Sequence, residues 1–123
     1  TDKTLQTSAD DIYALGDCAE VQGHVLPYVL PLMASARALA KTLAGDTTAV
    51  SYGVMPVTIK TPACPVVVCP PVDDNGEWEI QEDGNNVQAL FRGKDGSLQG
   101  YALTGEAVKE KMKLNKELPP LMP

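Results

Sequence analysis

The apolar positions of the first 52 residues predict one strand and one helix. A short apolar run at residues 11–15 ends at Gly16, which is typical of a strand that closes on a turn. Further along, apolar residues recur at spacings of three and four, as on one face of a helix: Leu32, Ala36, Leu39 and Leu43. We predict a helix from Pro31 to Ala44, with Pro31 at its first position and Gly45 just after its C-terminal cap.

From residue 53 onward, β-branched residues and turn residues replace the helical spacing. The β-rich runs 54–60 and 66–68 lie among prolines, so we predict edge strands or extended connectors there. Turns containing Asp and Gly then separate three short strands of an antiparallel meander, predicted at 77–81, 87–92 and 97–103. A last helix, roughly 105–116 and capped by Thr104, closes the chain. Its buried face is predicted to comprise Ala107, Val108, Met112 and Leu118.

Composition and charge narrow the function classes. The chain has 123 residues, 44% of them hydrophobic and 21% charged, which is typical of a globular protein. Its 16 acidic and 10 basic residues give a net charge of -6, which argues against a nucleic-acid partner. No apolar run approaches the roughly 20 residues of a membrane-spanning helix. Three cysteines favour a reducing compartment, and we expect a cytoplasmic protein without a targeting segment.

The predicted first half is incomplete as a layered fold. One strand and one helix cannot form an α/β layer alone, because each needs partners for its backbone and apolar face. Either this half packs on the meander, or it is the end of a larger domain. We favour the second alternative and expect two parts, 1–52 and 53–123. The chain starts at Thr1 without an initiator Met, so we expect part of a longer gene product.

The residues that follow the first predicted strand are the candidate binding site. Gly16 lets a ligand approach the backbone closely, and Asp17 follows it directly. An acid at the C-terminal end of a strand lies where open α/β sheets bind their ligands. Its carboxylate only accepts hydrogen bonds, so a polyol is a suitable partner. From the residues alone, an Asp in an ordinary turn is the alternative.

Residues 7–17 read T-x4-I-Y-A-x-G-D and resemble the second flavin fingerprint of the pyridine nucleotide–disulfide oxidoreductase superfamily. The stretches 16–20, 31–40, 55–65 and 114–119 resemble the rubredoxin reductases of that superfamily in particular. The resemblance covers nearly the whole chain. The two Gly-x-Gly-x-x-Gly turns that such enzymes use for FAD and NAD(H) are absent, so the chain resembles their C-terminal third.

The resemblance implies an α+β fold. Residues 1–52 would be the last strand and helix of a Rossmann-like FAD domain. Residues 53–123 would be a small antiparallel-sheet C-terminal domain with a closing helix. The parent would be an FAD-dependent enzyme that oxidises NADH and passes single electrons to rubredoxin, an acidic carrier. The chain alone would be inactive, would contain no catalytic residue, and would need the N-terminal part of its own protein as a partner.

The resemblance also assigns cofactor-binding roles to four residues. Asp17 would hydrogen-bond the flavin ribitol, with Gly16 giving the backbone room. Val29 would lie in the contact segment before a helix whose N-terminus faces the flavin pyrimidine ring, where the dipole favours an anion. Lys60 would add a second positive charge there. The alternative for Lys60 is a solvated lysine on an edge strand.

The cysteines and the histidine do not suggest further chemistry. Cys64 and Cys69 have the spacing of the redox disulfide of some superfamily members, but the Pro- and Val-rich segment between them predicts an extended backbone. Extended geometry separates their Cα atoms beyond the roughly 7 Å limit for a bridge, so we predict inert thiols. One histidine, His24, and scattered cysteines do not match zinc-ligand spacing, and we predict no metal site.

Two alternatives to rubredoxin reduction remain. A relative could reduce another small carrier, such as a ferredoxin or a flavorubredoxin. In a different class, the chain could be a non-catalytic interaction module built on the meander and the final helix.

Overall fold

The structure, a computed structural model, describes residues 1–123, and these divide into two units. Unit 1 comprises Thr1–Gly53 together with Met122–Pro123, and unit 2 comprises Val54–Leu121. Unit 1 contains one long helix, and unit 2 contains all the strands.

The helix of unit 1, α1, runs from Val29 to Leu43. It begins two residues before the predicted start, so that Pro31 is its third residue rather than its first. It ends at Leu43 with Ala44 as its C-cap, so Gly45 follows the cap as predicted, and the φ of 98° at Gly45 is strained for any residue with a side chain. Gly45 N–H donates to the Thr42 carbonyl and Asp46 N–H to the Lys41 carbonyl, both at 3.0 Å. These two bonds form a Schellman motif, which satisfies carbonyl groups that the helix leaves open.

The buried face of α1 differs from the predicted stripe. The buried residues are Pro31, Ser35, Ala38 and Leu39. Leu39 is therefore buried as predicted, whereas Leu43 is 66% exposed. Because the prediction followed the large apolar residues, it missed a face built from small side chains and one serine.

The strand predicted at 11–15 is wrong. Tyr13 makes one isolated antiparallel bridge, to Gln6, and Asp11 turns the chain with a φ of 60°. A strand is stable only beside a neighbour that pairs with it along its length, and unit 1 offers no such neighbour. The structure therefore shows no Rossmann-like sheet in residues 1–52.

Unit 2 contains a five-stranded antiparallel sheet, which confirms the predicted meander. Its strands are β1 (Val57–Ile59), β2 (Val66–Cys69), β3 (Gly76–Asp83), β4 (Asn86–Gly93) and β5 (Leu98–Thr104). Their order is β1-β2-β5-β4-β3. The short strand β1 is at an edge, as predicted, but β2 is internal. Pro65 and Pro70 flank β2 rather than interrupt it, so its ladder stays intact.

The closing helix is shorter and less regular than predicted. A 3-10 segment, Gly105–Glu110, leads into the short helix α2, Lys111–Leu114. Thr104 does not cap it. Its hydroxyl donates to the Asn85 carbonyl at 2.6 Å and accepts from Val87 N–H at 3.0 Å. The hydroxyl of Thr104 therefore stabilises the β3–β4 turn instead.

The core of unit 2 lies between one face of the sheet and residues 105–118. Its buried residues are Val67, Cys69, Leu98, Tyr101, Leu103, Leu114 and Leu118. Ala107 and Val108 pack against it as predicted, but Met112 is 66% exposed. A short helix presents only a narrow face, and Leu114 occupies it.

Tyr101 is the buried polar anchor of this core. Its ring is fully buried, and its hydroxyl donates to Asn115 Oδ1 at 2.7 Å. Burial, together with the charge of a deprotonated Cys69 nearby, raises the pKa of Tyr101 to about 12. Burial also raises the pKa of the Cys69 thiol, which favours an inert, protonated group.

Because the pKa of Tyr101 is raised, the free energy of unfolding should decrease at alkaline pH. In the unfolded chain the phenol ionises near its ordinary value of 10, whereas the folded protein keeps it protonated to about 12. The contribution of Tyr101 to the free energy of unfolding is therefore complete below pH 10 and is lost as pH rises towards 12. We expect the urea midpoint of the wild-type chain to fall more steeply between pH 10 and 12 than that of Tyr101→Phe. Parallel falls would contradict the assignment.

Candidate functional site

Gly16 and Asp17 form a turn beside the first turns of α1. Gly16 has a φ of 85°, and a Cβ there would lie 3.3 Å from Leu32 Cδ1. The turn closes with a 3.0 Å hydrogen bond from Ala19 N–H to the Gly16 carbonyl. Asp17 is exposed at its tip. The structure thus brings Gly16 against α1 and leaves the Asp17 carboxylate accessible to a ligand.

The N-terminal end of α1 is apolar, exposed and uncapped. Val29 is 68% exposed, Leu30 48% and Met33 44%. No side chain caps this end, and its first turn contains no acidic residue. No side chain therefore caps the N–H groups of the first turn, where Pro31 has none to offer, and no acid offsets the positive end of the helix dipole. Such an end favours a negatively charged group.

A small cavity beside the Gly16 turn has a buried hydrogen bond in its lining. Gly16, Leu32 and His24 are among the residues that line it, together with Ser35 and Tyr52. The Ser35 and Tyr52 hydroxyl groups share a hydrogen bond of 2.9 Å, with Ser35 only 2% exposed. This pair ties α1 to the last extended residues of unit 1.

Tyr52 also holds the C-terminus of the chain. Its N–H donates to the Met122 carbonyl at 2.6 Å, and Met122 N–H donates back to the Tyr52 carbonyl at 2.8 Å. Sequence reasoning missed both partners of Tyr52. A serine among the alanines of α1 was the available signal, because a polar residue on a buried helix face needs a partner. Nothing in the sequence pointed to Met122.

Lys60, the fourth predicted site residue, belongs to unit 2. It is exposed and follows the edge strand β1 directly. Gly16, Asp17 and Val29 all belong to unit 1. The structure therefore groups three of the predicted residues around one end of α1 and places Lys60 beside the sheet.

The thiols form no site. Cys18 is exposed, Cys64 is partly buried and Cys69 is buried, and all three are free. Cys69 is the last residue of β2, and an extended strand keeps it apart from Cys64, as predicted. No group of three His, Cys, Asp or Glu residues is arranged to hold a metal ion. None of the helices has the length and apolarity needed to cross a membrane.

Comparison with known proteins gives a consistent set of matches. Residues 49–118 match the family described as "Rubredoxin binding C-terminal domain". The whole chain is 82% identical to "Rubredoxin-NAD(+) reductase" of Alcanivorax borkumensis and covers 32% of that protein. It is 49% identical to the protein of the same name from Acinetobacter baylyi, again covering 32%. The chain thus spans about a third of the length of these curated relatives.

Two further matches extend the comparison. Over 95% of its length, the chain is 42% identical to "Nitric oxide reductase FlRd-NAD(+) reductase" of Aliivibrio fischeri, covering 31% of that protein. Its structure resembles the crystal structure of NADH:rubredoxin oxidoreductase from Clostridium acetobutylicum with a TM-score of 0.74. That match covers 95% of this chain and 31% of the other, at 20% identity, and it supports the fold alone.

The Ser35–Tyr52 hydrogen bond should be measurable as a coupling energy. Either Ser35→Ala or Tyr52→Phe leaves a buried hydroxyl without its partner, so each should destabilise the chain by about 1–3 kcal/mol. The double variant leaves no unpaired hydroxyl group, so it should lower the free energy of unfolding by less than the sum of the two single changes. Urea unfolding of the four proteins tests this, and strictly additive costs would contradict the bond.

Proposed function

The chain belongs to the rubredoxin-binding C-terminal domain family, and from this premise we propose that it forms the carrier-binding end of an NADH-dependent rubredoxin reductase. The observation that carries the proposal is the match over residues 49–118, which spans nearly all of unit 2. The 82% identity to a rubredoxin-NAD(+) reductase agrees with it. The resemblance drawn from the sequence is confirmed by these matches.

FAD is the cofactor that this proposal requires. When bound, it would supply the exchange between a two-electron donor and a carrier that accepts one electron at a time. Residues of unit 1 fit such a group. Gly16 adopts a conformation suited to glycine and has no side chain in the way, and Asp17 offers an exposed carboxylate that can accept hydrogen bonds from a sugar alcohol.

The N-terminal end of α1 fits the anionic edge of a reduced flavin. Its N–H groups and its dipole are uncapped, and no carboxylate in the first turn competes for them. The exposed, apolar Val29 stands at this end and is suited to contact an aromatic ring system. We assign Val29 to the flavin contact and the helix end to the charge that develops on reduction.

Lys60 is proposed as the second positive group near the flavin. It is exposed, and no carboxylate forms a salt bridge with it. An unpaired ammonium group retains its full charge for an external anion. It would favour the reduced, negatively charged cofactor over the oxidised one.

The choice among possible electron carriers is guided by the names of the most similar of the relatives compared. The two rubredoxin reductases are 82% and 49% identical to this chain, whereas the protein named for FlRd, from Aliivibrio fischeri, is 42% identical. We therefore propose rubredoxin as the carrier and keep a flavorubredoxin as the second candidate. A non-catalytic module is not supported, because these relatives are named as reductases. Three free thiols suit a reducing compartment, so we propose the cytoplasm.

Asp17→Asn should weaken FAD retention in the full-length protein that contains this chain. The change removes a charged acceptor but keeps the size of the side chain, and a hydrogen bond to a charged group contributes about 1.5–3 kcal/mol. We therefore expect FAD to bind at least about tenfold more weakly. Fluorescence titration of the apoprotein with FAD measures this affinity. Asp10→Asn, also at an exposed position, is the control, and equal affinity in both variants would contradict the role of Asp17.

Lys60→Ala should lower the reduction potential of the flavin with less effect on its retention. Removing a positive charge disfavours the reduced, anionic cofactor, whereas Lys60→Arg keeps the charge and should keep the potential. A redox titration, monitored by the absorbance of the flavin, measures this potential. Lys94→Ala, at another exposed lysine of unit 2, is the control. An unchanged potential in Lys60→Ala would refute the assignment.

A further inference from the structure

Unit 1 includes two residues that are distant from the rest of it in the sequence. The chain leaves unit 1 after Gly53, forms unit 2, and returns to unit 1 at Met122. Met122 is only 5% exposed, and it is not among the residues that form the core of unit 2. Its burial therefore stabilises unit 1, which also contains three of the four residues proposed to bind the flavin.

Met122 fixes the backbone of Tyr52. The N–H of Tyr52 donates to the Met122 carbonyl at 2.6 Å, and the N–H of Met122 donates back to the Tyr52 carbonyl at 2.8 Å. The two backbone hydrogen bonds of Tyr52 are thus both made to one residue. Gly53 follows directly, is exposed, and has no atoms packed where a side chain would lie, so it adds no restraint. The position of Tyr52 therefore depends on Met122.

The side chain of Tyr52 extends this restraint to α1. Tyr52 is 3% exposed, and its hydroxyl meets the Ser35 hydroxyl at 2.9 Å. Ser35 is the seventh residue of α1, about 9 Å along the helix axis from the first. The other buried residues of that face are Pro31, Ala38 and Leu39, which are apolar. Apolar burial is not directional, whereas a hydrogen bond is, so the Tyr52 hydroxyl fixes where α1 lies along and around its axis.

The first turns of α1 and the Gly16 turn meet beside this hydrogen bond. Both line the small cavity to which Ser35 and Tyr52 also contribute. The approach is close, because a Cβ at Gly16 would lie 3.3 Å from Leu32 Cδ1. Tightly packed groups transmit small displacements to their neighbours. A shift of α1 therefore moves the N-terminal end of the helix and also disturbs the turn that carries Asp17.

We propose that Met122 and Tyr52 are positioning residues for the flavin: their paired backbones hold the Tyr52 hydroxyl on Ser35, and this contact keeps the N-terminal end of α1 and the Gly16 turn arranged for the cofactor. The inference rests on the proposed function, which assigns that helix end and that turn to FAD. Met122 and Tyr52 act through Ser35 and not by touching the cofactor. Loss of the pairing lowers the fraction of molecules with an arranged site, and the apparent affinity for FAD falls by the same factor.

The test uses the full-length protein and two measurements on each variant: the Kd for FAD, from fluorescence titration of the apoprotein, and the urea midpoint of unfolding. Met122→Pro removes the N–H that donates to Tyr52, and it should weaken FAD binding about fivefold to tenfold, the equivalent of one lost buried hydrogen bond. Met122→Leu keeps the N–H and the apolar volume, so its Kd should stay within about twofold of wild type.

A double variant tests the link through Tyr52. Tyr52→Phe keeps the backbone pair and removes the hydroxyl, so it should also weaken FAD binding. Because the hydroxyl is the proposed link, Met122→Pro should weaken FAD binding clearly less in the Tyr52→Phe protein than in the wild type. Val67→Ala is the stability control. It deletes buried methyl groups from the core of unit 2, so it should lower the urea midpoint and leave the Kd for FAD within about twofold of wild type.

The outcomes separate this inference from the proposed function. If the wild-type protein binds no FAD, the proposed function fails and this inference with it. If the wild type binds FAD, and Met122→Pro lowers the urea midpoint without changing the Kd for FAD, the role of Met122 is structural only and the inference is wrong. Wild-type affinity in Tyr52→Phe, the milder variant, would overturn it equally, as would an equal loss of affinity in Val67→Ala. Equal losses from Met122→Pro with and without the Tyr52 hydroxyl would overturn the proposed link.

Discussion

Burial of one face of the sheet beneath residues 105–118 is the constraint on which unit 2 depends. Antiparallel strands satisfy each other's backbone groups, but a sheet is stable only when it also removes apolar area from water. Leu114 and Leu118 provide that cover, and Tyr101 joins it with a hydrogen bond to Asn115. The short closing segment covers only this one face of the sheet.

Unit 1 has no sheet and depends on individual hydrogen bonds. The Schellman motif ends α1, and the buried pair Ser35–Tyr52 holds the helix beside the Gly16 turn. The opposite end of α1 has no cap and exposes Val29. A helix fixed at one end and open at the other suits a cofactor that brings negative charge. The proposed roles follow: residues of unit 1 bind the flavin together with Lys60 of unit 2, and unit 2 binds the carrier.

The sequence predicted features with local causes and missed those that depend on distant partners. The Gly45 helix end, the meander and the unpaired cysteines follow from φ preferences, turn residues and extended geometry within a few positions. The strand at 11–15 was wrong because strand formation needs a neighbour that local patterns cannot supply. The serine face of α1 depends on Tyr52, 17 positions away. Gly16 and Asp17 are assigned to the cofactor by resemblance and stay a prediction, because an acid in a turn has no distinctive pattern of its own.

Carrier reduction by the full-length protein tests the central claim most directly. Oxidised rubredoxin is mixed with the FAD-loaded protein and NADH, and the loss of its iron absorbance is followed. The account predicts rapid, catalytic reduction of rubredoxin at the expense of NADH. Oxidation of NADH with rubredoxin remaining oxidised would contradict it.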